Sequence, residues 1–320
     1  MLRTHTQFWA YVALALVCFF WGTTYLGIRM ALESFPPATL VALRYVVSGS
    51  ILLAASKTVG ARLPRGRELW LTALFGVIII GVGNGCLAFA ETWIPSGLAA
   101  LMITVSPFWM VGVDALVPGG EKLHGPTILG MLVGFAGTVL LVGPSAVANG
   151  FGGPVLKGFL LLQLGSFGWA FGSILQRRHP TRAHPVVSGA VQQLATGLIY
   201  AAFAWRLDAH AIHWTTRGVS ALLYLVTFGS LVGYSAYLYA LDKLPVSVVS
   251  LYNYVNPVVA VGLGWLFYRE RVGWRELGAM AIIFGGVALV KRFGRVKEPP
   301  QIPAVPPPVS PGEERRHTTV

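Results

Sequence analysis

Residues 69–90 read LWLTALFGVIIIGVGNGCLAFA, a stretch without one charged side chain and with apolar residues on every face a helix could present. As a helix rising about 1.5 Å per residue it is roughly 33 Å long, enough for a hydrocarbon core of about 30 Å. Inside a bilayer every backbone N–H and C=O must find its partner within the protein, which leaves helices or closed barrels. A barrel strand would alternate apolar and polar residues over about 10 positions, and this stretch does not alternate. Residues 247–267 are likewise apolar on all faces. The rest of the chain agrees. Of 320 residues, 55% are hydrophobic and 11% charged, against about 45–50% and about 25% in an ordinary soluble domain.

Requiring about 20 apolar residues per crossing, the sequence predicts ten helices, at Ala10–Ile28, Ala38–Ser56, Leu69–Ala90, Gly97–Val117, Pro126–Gly143, Val155–Gln176, Val186–Trp205, Val219–Ala240, Val246–Phe267 and Trp274–Val290. The fold class expected is therefore an all-α integral membrane protein, with the lipid bilayer as its main partner. Residues 1–9 form a short leading segment, and the first apolar run is too long, and lacks the small-residue site, for a cleaved signal peptide. Residues 10–143 hold five spans, 144–154 connect, 155–292 hold five more, and the Pro-rich residues 293–320 are expected to be disordered.

The formal charge of +12 would suggest nucleic acid in a soluble protein. Here Lys and Arg lie almost entirely between the apolar runs, where they orient a membrane protein, and no nucleic-acid partner is expected. Counting the loops in alternation puts 14 Lys and Arg on the side of the termini and 7 on the other. The positive-inside rule then predicts that both termini face the cytoplasm, in a multi-pass protein of the plasma membrane.

Shifting the chain by 150 residues sets Gly83 on Gly233, Ala90 on Ala240, Pro95 on Pro245 and Pro107 on Pro257. A shift of 149 sets Glu121 on Glu270, Phe135 on Phe284 and Gly137 on Gly286. Five helices per repeat force the two halves into opposite orientations. Many secondary transporters share this inverted-repeat plan and bind substrate near the midplane between the halves.

With these residues in view, the chain resembles the EamA-type transporters of the drug/metabolite transporter superfamily. The first span carries Phe20-Trp21-Gly22-Thr23-Thr24-Tyr25-Leu26-Gly27-Ile28-Arg29, the second Arg44-Tyr45, and the fourth Ser106-Pro107 with Gly120-Glu121-Lys122 beyond it. The second half carries Gly168-Trp169-Ala170, Asn256-Pro257, Tyr268-Arg269-Glu270 and Gly285-Gly286-Val287. The likeness covers about residues 10–292. It implies two EamA repeats and a secondary carrier of small metabolites, amino acids or drugs, often exported. The acidic residue that small multidrug carriers keep in their first helix has no counterpart here, which argues against an obligatory proton exchange of their kind.

Pro107 and Pro257 each remove a backbone donor and free a carbonyl, that of Ile103 and Asn253 respectively, as a cavity-lining break or as a simple bend. Tyr252 and Asn256 are four apart on one helical face, with Asn253 between them. With Trp21, Thr24, Tyr25, Asn84, Trp169, Tyr234 and Tyr237 they are the expected substrate-binding residues, suited to a neutral or zwitterionic amphipathic ligand. The competing reading is interhelical packing. Arg44 and Glu91 are the candidates for a charge role, since ionisable groups at membrane depth are costly. For Glu91, at a span end, an interfacial position is the plainer expectation.

All seven histidines fall outside the spans, Cys18 and Cys86 fall within them, and neither a Walker loop nor a hydrolase motif is present. No catalytic residue, cofactor or metal site is predicted. The leading expectation is alternating-access transport of a small molecule. The alternative is a membrane-embedded enzyme acting on lipid or isoprenoid intermediates, and association of like chains is left open.

Overall fold

The computed structural model describes residues 2–293 except 59, 121–122, 150–152, 182, 208–210, 245 and 250–251. The Pro-rich stretch from residue 294 and the predicted Pro95–Pro245 correspondence therefore lie outside the described residues, in the second case because of Pro245.

The described residues are helical throughout. The first half comprises α1 (Leu2–Ala31), α2 (Pro37–Thr58), α3 (Arg67–Gly76), a π-helical segment π1 (Val77–Val82), α4 (Gly83–Ala90), α5 (Ser96–Ile103), α6 (Ser106–Leu116) and α7 (Gly125–Asn149). The second comprises α8 (Pro154–Arg178), α9 (Pro185–Leu207), α10 (Thr216–Tyr224), π2 (Leu225–Val232), α11 (Gly233–Lys243), α12 (Val246–Val249), α13 (Tyr252–Tyr268) and α14 (Trp274–Phe293). Eight of the resulting stretches, from Gln7–Ala31 to Thr216–Tyr237, are long and apolar enough to cross a bilayer. At the predicted ninth and tenth places stand the 17-residue α13, preceded by the single turn of α12, and the 20-residue α14.

The two halves pack as an exchange-symmetric pair. The second helices, α2 and α9, lie against each other, as do the fifth helices, α7 and α14, while α1 meets α11 and α13 as α8 meets α4 and α6. Glycine makes the tightest of these contacts: a Cβ on Gly197 would lie 2.5 Å from the Val46 backbone nitrogen, and one on Gly286 2.3 Å from that of Gly134. Close backbone approach through small residues is how helices associate where lipid supplies no hydrophobic drive. Between the halves lie Tyr25, Phe35, Leu40, Ile94, Met102, Leu162 and Leu225, all buried. The outward faces carry exposed Leu132, Phe135, Leu160, Phe203 and Phe267, an apolar belt that only a bilayer would solvate.

One departure from regular helix recurs in both halves. The third helix of each half is π-helical just before Gly83 and just before Gly233, the pair that the sequence shift of 150 superposes. The fourth helix of the first half is also interrupted. In the first half α5 stops at Ile103 and α6 restarts at Ser106, so the break sits directly at Pro107. The carbonyl freed there is recaptured locally, because the Ser106 hydroxyl donates to the Ile103 oxygen at 2.6 Å. In the second half Pro257 lies inside α13.

Candidate functional site

α1 runs toward one end of the bundle, here the Glu91 end, where Ala31–Pro37, Ala90–Ser96, Leu207–Thr216 and Tyr268–Trp274 are joined. The opposite, Arg178, end holds the α2–α3, α6–α7 and α8–α9 connections. The two ends differ in how they are closed.

At the Arg178 end a cavity of about 570 Å³ opens between α3 of the first half and α8 and α9 of the second, within the usual range for small-molecule sites. Arg62, Arg67 and Arg178 stand at its mouth, and Gln176, Ser188 and Gln192 line it more deeply. Gln192 donates to Gln176 at 2.9 Å and lies 3.5 Å from the Tyr234 hydroxyl. The Ser188 hydroxyl is buried without a hydrogen-bond partner in the protein.

Beyond Tyr234 lies an aromatic cluster shared by both halves. Trp21 of α1 packs on Tyr237 of α11 with ring centroids 5.0 Å apart and meets Tyr252 of α13 edge-on at 5.2 Å. Tyr237 and Tyr252 are themselves edge-on at 5.9 Å, and Tyr234 stands 6.5 Å from Tyr237. All four rings are half-buried. Such rings offer a large apolar surface with a few polar handles. The Trp21 indole N–H donates to the Gly229 carbonyl of π2 at 3.1 Å, so the π segment's spare acceptor fixes the ring. In the other half the Tyr200 hydroxyl donates to Gly81 of π1 at 2.8 Å. The tryptophans cross over: a Cβ on Gly233 would lie 2.7 Å from the Trp21 ring, and one on Gly83 3.1 Å from the Trp169 ring.

The remaining predicted site residues divide into three groups. Asn84 is half-buried on α4, next to the glycine that Trp169 covers. Thr24 turns its hydroxyl back to the Trp21 carbonyl at 2.6 Å, while its methyl borders Gly229. Asn256 is buried, and its amide nitrogen donates to the Cys18 carbonyl at 2.8 Å and to the Tyr252 carbonyl at 3.1 Å. That is a helix-packing bond between α1 and α13. Tyr252, four residues earlier, is in the cluster, and Asn253 is half-buried beside it.

Arg44 is buried in α2; its Nε donates to Ser230 of π2 at 2.9 Å, and its guanidinium lies 5.0 Å from the Tyr45 ring centroid. It belongs to the contact between the halves, six residues into its predicted span. Glu91 departs from the interfacial position expected of it: it is 2% exposed, near buried Tyr25.

The Glu91 end is sealed by polar contacts, each joining one half to the other except for those of Arg29. The carboxylate of Glu270 accepts from the Ser96 N–H and hydroxyl at 3.0 and 2.9 Å and from the Gly97 N–H at 3.0 Å. It thereby caps the positive end of α5. Ser34 and Thr215 share a hydrogen bond of 2.5 Å, and the His213 N–H donates to the Ser34 carbonyl at 2.9 Å. Glu33 pairs with Arg217 at 3.2 Å and accepts from the Tyr268 hydroxyl. Arg29 donates to the Ile94 and Glu91 carbonyls at 3.0 and 3.4 Å and lies 5.4 Å from the Tyr268 ring centroid. Of these sealing residues sequence reasoning quoted Arg29, Tyr268 and Glu270, but for the resemblance, the repeat and the charge count and not for a contact between the halves. It passed over Ser34, Ser188 and Gln192. An excess of polar residues on α9 was the available signal for the last two.

Comparison with known proteins agrees with this architecture. Residues 8–143 and 156–292 each match the EamA-like transporter family. The uncharacterized inner membrane transporter YedA of Escherichia coli (strain K12) is 34% identical over 273 residues, 84% of this chain and 86% of that protein. A probable amino-acid metabolite efflux pump of the same organism is 29% identical, over 84% of this chain and 91% of that one. Protein PecM of Dickeya dadantii (strain 3937) is 25% identical over 85% and 88%. A crystal structure with 23% sequence identity shares the fold, at a TM-score of 0.64, over 91% of this chain and 99% of its own.

Proposed function

The chain belongs to the EamA-like transporter family, a membrane transporter and not an enzyme, and from that premise we propose that it exports a small amino-acid-like solute by alternating access. The observation that carries this reading is the Trp21–Tyr237–Tyr252 cluster shared by both halves, which Tyr234 links to Gln192 on the lining of the cavity at the Arg178 end. Rings from α1 on one side and α11 and α13 on the other would close around an apolar side group. Arg62, Arg67 and Arg178 outnumber Glu68, which lines the same cavity and pairs with Arg62 at 3.2 Å, so the mouth favours carboxylates over organic cations. An amino acid or a related metabolite satisfies both, and one relative is named as an amino-acid metabolite efflux pump. With the Arg178 end in the cytoplasm, as the distribution of Lys and Arg favours, the form described is inward-facing and the plasma membrane is its site. Rocking of the halves would break the polar seal at the Glu91 end and close the cavity.

The test is transport in proteoliposomes, over labelled aromatic and aliphatic amino acids, related carboxylates and organic cations. Saturable movement of an amino-acid-like solute is expected, with little transport of the cations. Trp21→Ala removes a packing face worth about 1 to 2 kcal/mol. It should raise the half-saturation concentration about 5- to 30-fold at matched protein levels. Saturable transport of cations alone, or an unchanged half-saturation concentration in Trp21→Ala, overturns the assignment.

A further inference from the structure

Glu91 follows the last residue of α4 at the sealed end. It is 2% exposed, and neither carboxyl oxygen has a hydrogen-bond partner. A carboxylate withdrawn from water and left without donors is among the costliest groups a protein can bury, and the usual escape is to take up a proton. Donors stand nearby yet are directed elsewhere. Arg29 gives its hydrogen bonds to the carbonyls of Ile94 and of Glu91 itself, and the Ser96 and Gly97 N–H groups go to Glu270.

The ionisable surroundings are mixed. α1 contributes Arg29 and Tyr25, and the loop after α13 contributes Glu270. On α2 the buried cation Arg44 is bonded to Ser230, and Lys157, near this end of α8, is exposed. Burial pushes the Glu91 carboxyl well above the ordinary carboxylate range; Arg29 opposes this and Glu270 reinforces it.

We propose that Glu91 is a proton-binding site that latches this end of the transporter: the end closes with Glu91 protonated, and opening it hydrates the carboxyl and releases the proton to the solution on that side. The latch rests on the alternating-access reading above. Between the ordinary carboxylate value and the raised one, the closed form holds one proton that the open form has released. Raising the pH through that window drains the closed form, and acid favours it. One proton of difference changes the closed-to-open ratio by at most about tenfold per pH unit. A pH gradient across the membrane thereby biases which end is open.

The experiment places spin labels at Thr92→Cys and Thr216→Cys, both exposed at this end and one in each half, in a Cys18→Ala, Cys86→Ala background. Distances are read by pulsed electron resonance in liposomes from pH 5 to 8.5, with and without the best transported solute. A short and a long distance are expected, the long one growing with pH. Glu91→Gln should hold the short distance at every pH, and Glu91→Asp should keep the pH dependence with a displaced midpoint. A pH dependence that survives in Glu91→Gln, or that disappears only in Glu270→Gln, overturns the latch. Two distances insensitive to pH overturn it while leaving alternating access standing. A single distance under all conditions removes alternating access, and the latch with it.

Discussion

Asn256 and Tyr252 sit four residues apart on α13 in different surroundings. The sequence places them on one helical face and so makes both cargo contacts, but the amide is held between backbone carbonyls of two helices, whereas the phenol ring joins Trp21 and Tyr237. Asn256→Leu is therefore expected to lower folded yield by removing an interhelical bond, a kind that averages about 0.6 kcal/mol. The half-saturation concentration of the remaining protein should stay unchanged. Tyr252→Leu should do the reverse. Transport kinetics at matched protein levels decide, and a raised half-saturation concentration in Asn256→Leu would return the amide to the cargo site. Aromatic content was legible in the sequence because it is a matter of residue type. Direction was not, since a four-residue spacing defines a face without saying which neighbour it meets. Glu91 shows the same limit: read alone it ends an apolar run, and what buries it is the arrival of α1 and of a loop some 180 residues away.

At the scale of elements, the apolar runs located the helices, because hydropathy over about 20 positions is a property of the segment itself, but not every end: α1 starts at Leu2 where the sequence predicts Ala10, and α7 runs to Asn149 where it predicts Gly143. The π segments were invisible for the opposite reason. Their spare carbonyls, at Gly81 and Gly229, are satisfied by Tyr200 and Trp21 from other helices, so the distortion exists only in the assembled bundle. Glycine pairing is similarly a product of contact. Gly285 and Gly286 are neighbours on α14, yet a Cβ on Gly285 meets nothing within 4 Å while one on Gly286 meets the Gly134 nitrogen at 2.3 Å and the Gly130 oxygen at 2.6 Å. Backbone cannot step aside. Gly286→Ala should destabilise the α7–α14 pair by about 1 to 3 kcal/mol and lower the thermal midpoint in detergent. Gly285→Ala should leave it level or raise it slightly, by up to about 1 kcal/mol from helix propensity. Equal midpoints for the two variants would show that α7 and α14 do not meet through these glycines.

For the molecule as a whole, the duplication was legible in the coincidence of Gly83 with Gly233 and of Pro107 with Pro257. The lodging of each half's tryptophan in the other half was not, because an internal repeat states likeness and says nothing of contact. Orientation remains a matter of charge counting, and it makes a direct prediction. Single cysteines at Thr58 and Thr92, both exposed and at opposite ends, should react with a membrane-impermeant maleimide from opposite sides, Thr92 from outside the cell. Reaction of Thr58 from outside would invert the assignment of both ends. The crossed tryptophans have one more consequence, for ancestry. Trp21 needs the hollow at Gly233 and Trp169 the hollow at Gly83, so each half carries the key to a lock in the other. A chimera that joins residues 1–149 to the second half of a relative would inherit a working interface only if the donor supplied both a glycine for Trp21 and an indole for Gly83. The two halves, each of which matches the same family, are thereby bound to change together.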